Sequence, residues 1–178
     1  MTARMQHRVN AMRRWGYAAA AGLLLMFSIS LIVVTSTTGK PNGSELAQSV
    51  LRHIAAESHH LSNQHPVASQ QLTALFDRFG AQLSAGIGQI NFAAECLMRT
   101  RSGIHLIAPG KLGPISAFLM PGQPTERAQA IMTDTLAGTI MPTAWGNLAV
   151  VGEPGEEISR FSERLIAATQ WPTTQLSR

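Results

Sequence analysis

The sequence predicts an α+β fold, a small antiparallel sheet with helices packed on one face, preceded by a single N-terminal transmembrane helix. Three observations lead there. Residues 15–34, WGYAAAAGLLLMFSISLIVV, are uncharged and about long enough to cross a bilayer. Apolar residues then recur at helical spacing over two stretches between residues 44 and 83, and from Gln89 the period changes to two. Short apolar runs separated by Gly and Pro follow closely enough to form an antiparallel meander.

Arg4, Arg8, Arg13 and Arg14 precede the apolar run, and no acidic residue occurs before Glu45. The positive-inside rule therefore places residues 1–14 in the cytoplasm and residues 41–178 outside. Arg13, Arg14, Trp15 and Tyr17 read as an interfacial anchor. Nine of the twenty residues are Leu, Ile, Val or Phe, which favours insertion by about 3 to 5 kcal/mol before Gly and Ser subtract from it. A buried core helix and a cleavable signal peptide are the rival readings. The run is long for a signal peptide and leads into Val33-Val34-Thr35-Ser36 without an A-x-A site, so an uncleaved anchor is favoured. Ala18 and Gly22 supply one small-xxx-small step for helix pairing.

The net charge of +4 belongs to the N-terminus. Five of the 14 basic residues, the four arginines and Lys40, lie before residue 45, leaving nine against ten acidic side chains, or −1, in the rest. A nucleic-acid function, which needs a basic stripe on the folded part, loses its support. At most the basic segment touches anionic lipid of the bilayer. Cys96 is the only cysteine, so no intrachain disulfide exists. The roughly 135 residues beyond the membrane suffice for one modest core.

Residues 35–43, TSTTGKPNG, form a stalk. The domain, residues 44–170, opens at Ser44 as an N-cap, and Leu46, Ala47, Val50, Leu51, Ile54 and Leu61 mark a first helix to about residue 62. After NQHP, a second helix carries Val67, Leu72, Leu75, Phe76, Phe79 and Leu83, and the two are expected to form a hairpin. Ile90, Phe92, Ala94, Cys96 and Met98 share one face of a half-buried strand. Arg101-Ser102-Gly103 turns into GIHLIAP, and LGP turns into ISAFLMP. Thr125 with Glu126 and Arg127 opens an expected third helix to about Leu136, TAWGNLAVVGE is a fourth strand, and GEEISRFSERLIAATQ is a last helix. Residues 171–178 form a loosely held tail. The expected order is ααβββαβα.

His53 and Glu57 stand at i and i+4 on the first helix, while Cys96 and His105 come from neighbouring strands. Those four side chains could ligate zinc or, with Met98 or Met120, cuprous copper. The favoured reading is structural: a surface or helix-packing pair, a small core thiol and a histidine on the open face of its strand. No cofactor is then expected, with zinc, copper or haem as the alternative. His59, His60 and His65 read as solvated. Enzyme templates are absent: there is no G-x-S-x-G, H-E-x-x-H, P-loop or G-x-G-x-x-G. A Cys96–His105 nucleophilic pair lacks the exposed, electropositive setting such a thiol needs. Gly80, Gly86 and Gly88 punctuate a loop. Glu153, Glu156 and Glu157 suit the positive end of the last helix, or could bind a hard cation.

The segments LRHIAAE, FDRFGAQL and INFAAECLMRTRSGIHLIAPGKLGPISAFLMPG carry a further signal. Together they resemble the exported domain of an uncharacterised family of proteobacterial single-pass membrane proteins with an anti-sigma-factor-like layout. That family's HI-x-x-E segment, Cys, HL pair and GP-strand fall on His53 and Glu57, Cys96, His105 and Leu106, and Gly113 and Pro114. The resemblance spans roughly residues 12–152. It implies a bacterial inner-membrane protein with a periplasmic domain that senses a ligand or binds an envelope protein or a second copy. One departure is the arm of about 14 residues before the membrane, too short to wrap a sigma factor, where family members have many tens. RMQHRVNAMRRWGY resembles the end of such an arm, so either the true start lies upstream or the arm is lost.

Overall fold

Three runs that read as strands in the sequence, FAAECLM, GIHLIAP and ISAFLMP, lie side by side in a computed structural model that describes residues 43–172, apart from Ala85. The basic segment with Arg13, Arg14, Trp15 and Tyr17, the apolar run 15–34, the stalk to residue 42 and residues 173–178 lie outside the described residues. Among those described, no helix is long and apolar enough to cross a membrane.

The elements are α1 (Gly43–Ala56), a 3-10 turn (Ser58–His60), α2 (Ser69–Arg78), β1 (Gln82–Leu83), β2 (Phe92–Met98), β3 (Arg101–Pro109), β4 (Pro114–Pro121), β5 (Gln129–Met132), β6 (Ala137–Thr143), β7 (Gly146–Gly152), α3 (Ile158–Ala168) and β8 (Thr169–Gln170). The fold is α+β. Six antiparallel strands form one sheet in the order β2-β3-β4-β7-β6-β5, two meanders joined where β4 pairs β7, and β1 pairs β8 apart from it. The first helix is shorter than expected and the second ends at Arg78. There a Schellman motif closes α2: the Gly80 N–H donates to Asp77 O and the Ala81 N–H to Phe76 O, with Gly80 at φ +68°. The turn before β3 lies at Arg99 and Thr100, with Arg99 at φ +61°, so Arg101-Ser102-Gly103 already belongs to the strand.

The expected third helix is a strand and a turn. Between residues 125 and 136 the buried apolar side chain is Ile131, with Ala130 and Met132 pointing out, a period of two. Thr125, whose hydroxyl resembled a helix cap, is instead tied to β7: its N–H and its Oγ1 both donate to Asn147 Oδ1, at 2.8 and 2.9 Å. Thr133 Oγ1 accepts from the Leu136 N–H at 2.9 Å and closes the β5–β6 hairpin. With β6 added, the second meander replaces the helix.

The helices cover both faces of the sheet, not one. Leu72, Leu75 and Phe76 of α2 and Phe161 and Leu165 of α3 pack with Ile104, Leu106, Ala117, Leu119, Leu148 and Val150. Leu46, Val50 and Ile54 of α1 pack with Cys96, Met98, Phe118, Met120, Ile140 and Ala149. Alternate residues of the same strands enter the two clusters, so the helices of the expected hairpin sit on opposite faces. Ile90, just before β2, joins the α2 side and not the face of Cys96. Trp171, expected in the tail, stacks on Trp145 with ring centroids 4.8 Å apart. Burying each large apolar side chain contributes about 1.5 to 3 kcal/mol, and two-sided coverage is what lets β7 be buried along its whole length.

Candidate functional site

His105 occupies the middle of β3, a central strand, opposite Ala94 of β2 and Phe118 of β4. Strand alternation turns it away from Leu106 and toward the face that α1 covers. It is therefore buried, 1% exposed, where an open face was expected. Its ring stacks on Phe118 with centroids 4.2 Å apart and meets Phe92 edge-on.

From the other side come His53 and Glu57. The i, i+4 spacing puts both on one flank at the C-terminal end of α1, where the Glu57 N–H still donates to His53 O. Glu57 Oε2 accepts from His105 Nδ1 at 2.9 Å and stands 3.2 Å from His53 Nε2. The second contact is close without being a directed hydrogen bond, since His53 Nε2, like His105 Nε2, is buried without a hydrogen-bond partner. One ligating atom from each of His53, Glu57 and His105 lies within 4.8 Å of the others. The side chains of His53 and Glu57 are 17% and 29% exposed, so the cluster opens to solvent along the rim of α1.

Burial pushes His105 down to about 4, against the Glu57 hydrogen bond and charge that pull it up. Burial works against ionisation of Glu57, but the His105 hydrogen bond and the charges of His53, His105 and His60 outweigh it and hold the carboxyl below its usual range. At neutral pH the cluster is a carboxylate facing a neutral, buried imidazole.

Cys96 is not drawn into this group. It lies on the same sheet face but opposite Gly103, two residues from the position that faces His105. Burial first, then the charges of Glu57 and Glu95, push its thiol up to about 12, with the Gly103 backbone hydrogen bond opposing. Such a thiol is a core side chain and a poor soft-metal ligand. Met98 and Met120 are buried in the same apolar cluster.

The sequence reading missed three contributors. Phe92 and Phe118 wall the cluster, and His60, expected to be solvated, is half-buried and stacks on Phe92 with centroids 4.0 Å apart. Phe92 and Phe118 share a face with His105 by strand parity, so the register, once known, would have found them. Nothing local marks His60, because its placement depends on the 3-10 turn after α1.

A family model described as "Protein of unknown function (DUF3379)" matches residues 1–169. The chain belongs to that family. No curated protein and no solved structure matches it. In this DUF3379 chain the acidic group before α3 has a local structural role. Glu156 Oε2 accepts from the Leu112 N–H, and Lys111 Nζ donates to Glu157 Oε2 at 3.0 Å, which fastens the β3–β4 turn to the start of α3. The backbone hydrogen bond from Leu112 is the leading cause that holds Glu156 below its ordinary range.

Proposed function

We propose that this DUF3379 protein is a single-pass protein of the bacterial inner membrane, with residues 1–14 cytoplasmic and the domain of residues 44–170 periplasmic. The domain senses a ligand or binds an envelope protein or a second copy. The layout is that of a proteobacterial anti-sigma-factor-like regulator: an arm, one crossing and an exported domain. The bilayer is its first partner, and the near-neutral charge balance of the domain argues against a nucleic-acid partner. The reading is non-enzymatic, in keeping with a buried thiol pushed away from nucleophilic character.

The apolar run and the arginines before it support the topology, and one family model extends over both the run and the domain. The observation that carries the sensing part is how α1 is fastened. The C-terminal end of α1 meets the sheet through a carboxylate shared between two imidazoles. A proton or ligand that alters that contact alters how α1 lies on the sheet, and α1 is the described element nearest in sequence to the crossing. The convergence of His53, Glu57 and His105 also favours a second reading, a metal-binding domain of the envelope.

Two measurements test the proposal. Alkaline phosphatase fused after Arg178 is expected to be active and a fluorescent protein fused there dark; the reverse pattern ends the periplasmic assignment. Hydrogen exchange on the full-length chain in membranes is expected to show α1 losing protection in Glu57→Gln while α2 and α3 keep theirs. Unchanged α1 protection would remove the fastening on which sensing depends.

A further inference from the structure

We infer that His53, Glu57 and His105 form a three-ligand site for a zinc-like divalent transition-metal ion, held between the end of α1 and the centre of β3. As the ligand of the sensor, the ion rests on the reading above; as a site, it rests on the side chains alone.

The geometry is close to what such an ion requires. With metal–donor bonds of about 2.0 to 2.2 Å, neighbouring donor atoms of a tetrahedral site stand roughly 3.3 to 3.6 Å apart. Glu57 Oε2 is 2.9 Å from His105 Nδ1 and 3.2 Å from His53 Nε2, and one ligating atom from each side chain lies within 4.8 Å of the others. Two of the three side chains stand at the rim, where rotation of χ angles adjusts the spacing without moving the backbone. The third, His105, is fixed by its stack on Phe118.

The donor chemistry selects the class of metal. Two imidazoles and one carboxylate form a nitrogen and oxygen set, the His₂Glu combination that leaves a zinc ion one position open. Cuprous copper wants thiolate or thioether ligands. Here the thiol stays outside the group and protonated, and Met98 and Met120 are packed into the apolar core.

Three further features agree. His53 Nε2, one of the three donor atoms of the site, is buried without a hydrogen-bond partner although Glu57 Oε2 stands 3.2 Å away, an orphaned polar atom that an ion would satisfy. Glu57 places a negative charge at the C-terminal end of α1, where the helix dipole is also negative, and no Lys or Arg side chain among the described residues pairs with it. A divalent cation there gains from both. Finally, Phe118 and Phe92 supply the apolar surround that excludes competing water from a ligand sphere. Binding would clamp α1 to β3, which gives the sensor a bound and a free arrangement.

The test uses the full-length chain in detergent, stripped with chelator, loaded with zinc alone and separated from excess by gel filtration. Elemental analysis is expected to find about one zinc per chain, and cobalt substitution to give the visible bands of a tetrahedral nitrogen and oxygen site. Glu57→Gln and His53→Ala, both changes at the partly exposed rim, are expected to weaken zinc binding by roughly 10- to 100-fold or more, while Cys96→Ala leaves it unchanged. A folded wild type that retains no zinc overturns the inference. So does zinc retained equally by Glu57→Gln and His53→Ala, or cuprous copper bound in its place and lost with Cys96→Ala. Failure of this site and failure of the sensor reading are separable: no zinc with a phosphatase-positive C-terminus removes only the ion. Zinc binding with a phosphatase-negative C-terminus keeps the site and removes the periplasmic sensor.

Discussion

Along β3, Leu106 and Ala108 enter a cluster built with α2 and α3, whereas His105, between Leu106 and Ile104, faces α1. The two faces of one sheet are thus closed in different ways. On the α2–α3 side the packing holds no buried ionisable group: Phe76, Leu106 and Leu165 are inaccessible to solvent, and the buried Ser162 and Thr169 hydroxyls donate to the carbonyls of Ile158 and Leu165. On the α1 side the same strands supply Cys96, Met98, Phe118 and Met120 to a core that gives way, at the end of α1, to His53, Glu57 and His105. An apolar face responds to solvent conditions only through unfolding. A face that ends in two imidazoles and a carboxylate responds to protons and ions in the folded state, which is why the functional reading concentrates there.

The largest expected effect sharpens this contrast from the apolar side. Phe76→Ala empties a fully buried site under α2. It should cost about 3 to 5 kcal/mol in chemical denaturation while leaving the pH profile of stability unchanged in shape. A changed profile would mean that the two faces do not behave independently.

Acid should act on the other face. His105 titrates near 4 when folded and near its ordinary 6.5 when unfolded, so as pH falls the unfolded chain takes up the proton first. Its contribution is complete above pH 6.5 and is lost between there and pH 4, amounting to ~3 kcal/mol. Glu57, also held below its usual range, adds to the loss in the same direction at lower pH. Replacing the stacked imidazole by a ring without titratable atoms, His105→Phe, should flatten the stability curve over that window in urea titrations at several pH values. An equally steep curve in the variant would assign the acid response elsewhere.

Much of the first meander was legible because its strands are short apolar runs bounded by Gly and Pro. The unbroken burial of residues 103–108 and 115–120 was legible too, and its meaning was missed. A strand that is apolar on both sides requires cover on both sides, which contradicts helices on one face. The third helix failed for a different reason. Thr125-Glu126-Arg127 has cap-like chemistry, but Thr125 spends its donors on Asn147, a tertiary contact that no local pattern announces. At the site, the i, i+4 relation of His53 and Glu57 was readable from spacing alone. The arrival of His105 beneath them depends on which face α1 covers, and no local pattern sets that. The apolar run 15–34 and its flanking Arg13, Arg14, Trp15 and Tyr17 lie outside the described residues, so the membrane reading still rests on the sequence.

Metal should separate the faces again with a slightly smaller effect. Zinc at 100 times its dissociation constant is expected to stabilise the full-length chain by about 2.7 kcal/mol, reversed by chelator. Phe76→Ala should keep that increment, because its site lies across the sheet, and Glu57→Gln should lose it. A zinc effect abolished by Phe76→Ala would mean that the ion senses global packing and not the rim of α1.

Cys96 provides the finest test, because it shares the face of His105 without sharing its chemistry. The register places it opposite Gly103 while Ala94 stands opposite His105, and its thiol is pushed up to about 12. A side chain that is buried, protonated and outside the ligand group acts through volume alone. Cys96→Ala should therefore cost about 1 kcal/mol, the scale of one buried methylene-sized group, in equilibrium unfolding. The acid response and the zinc increment should match the wild type. If Cys96→Ala instead altered either one, the boundary between apolar packing and ionisable contact would have to be redrawn to include the thiol. If neither moves, that boundary runs between Cys96 and His105, and the responsive part of this face is confined to the end of α1.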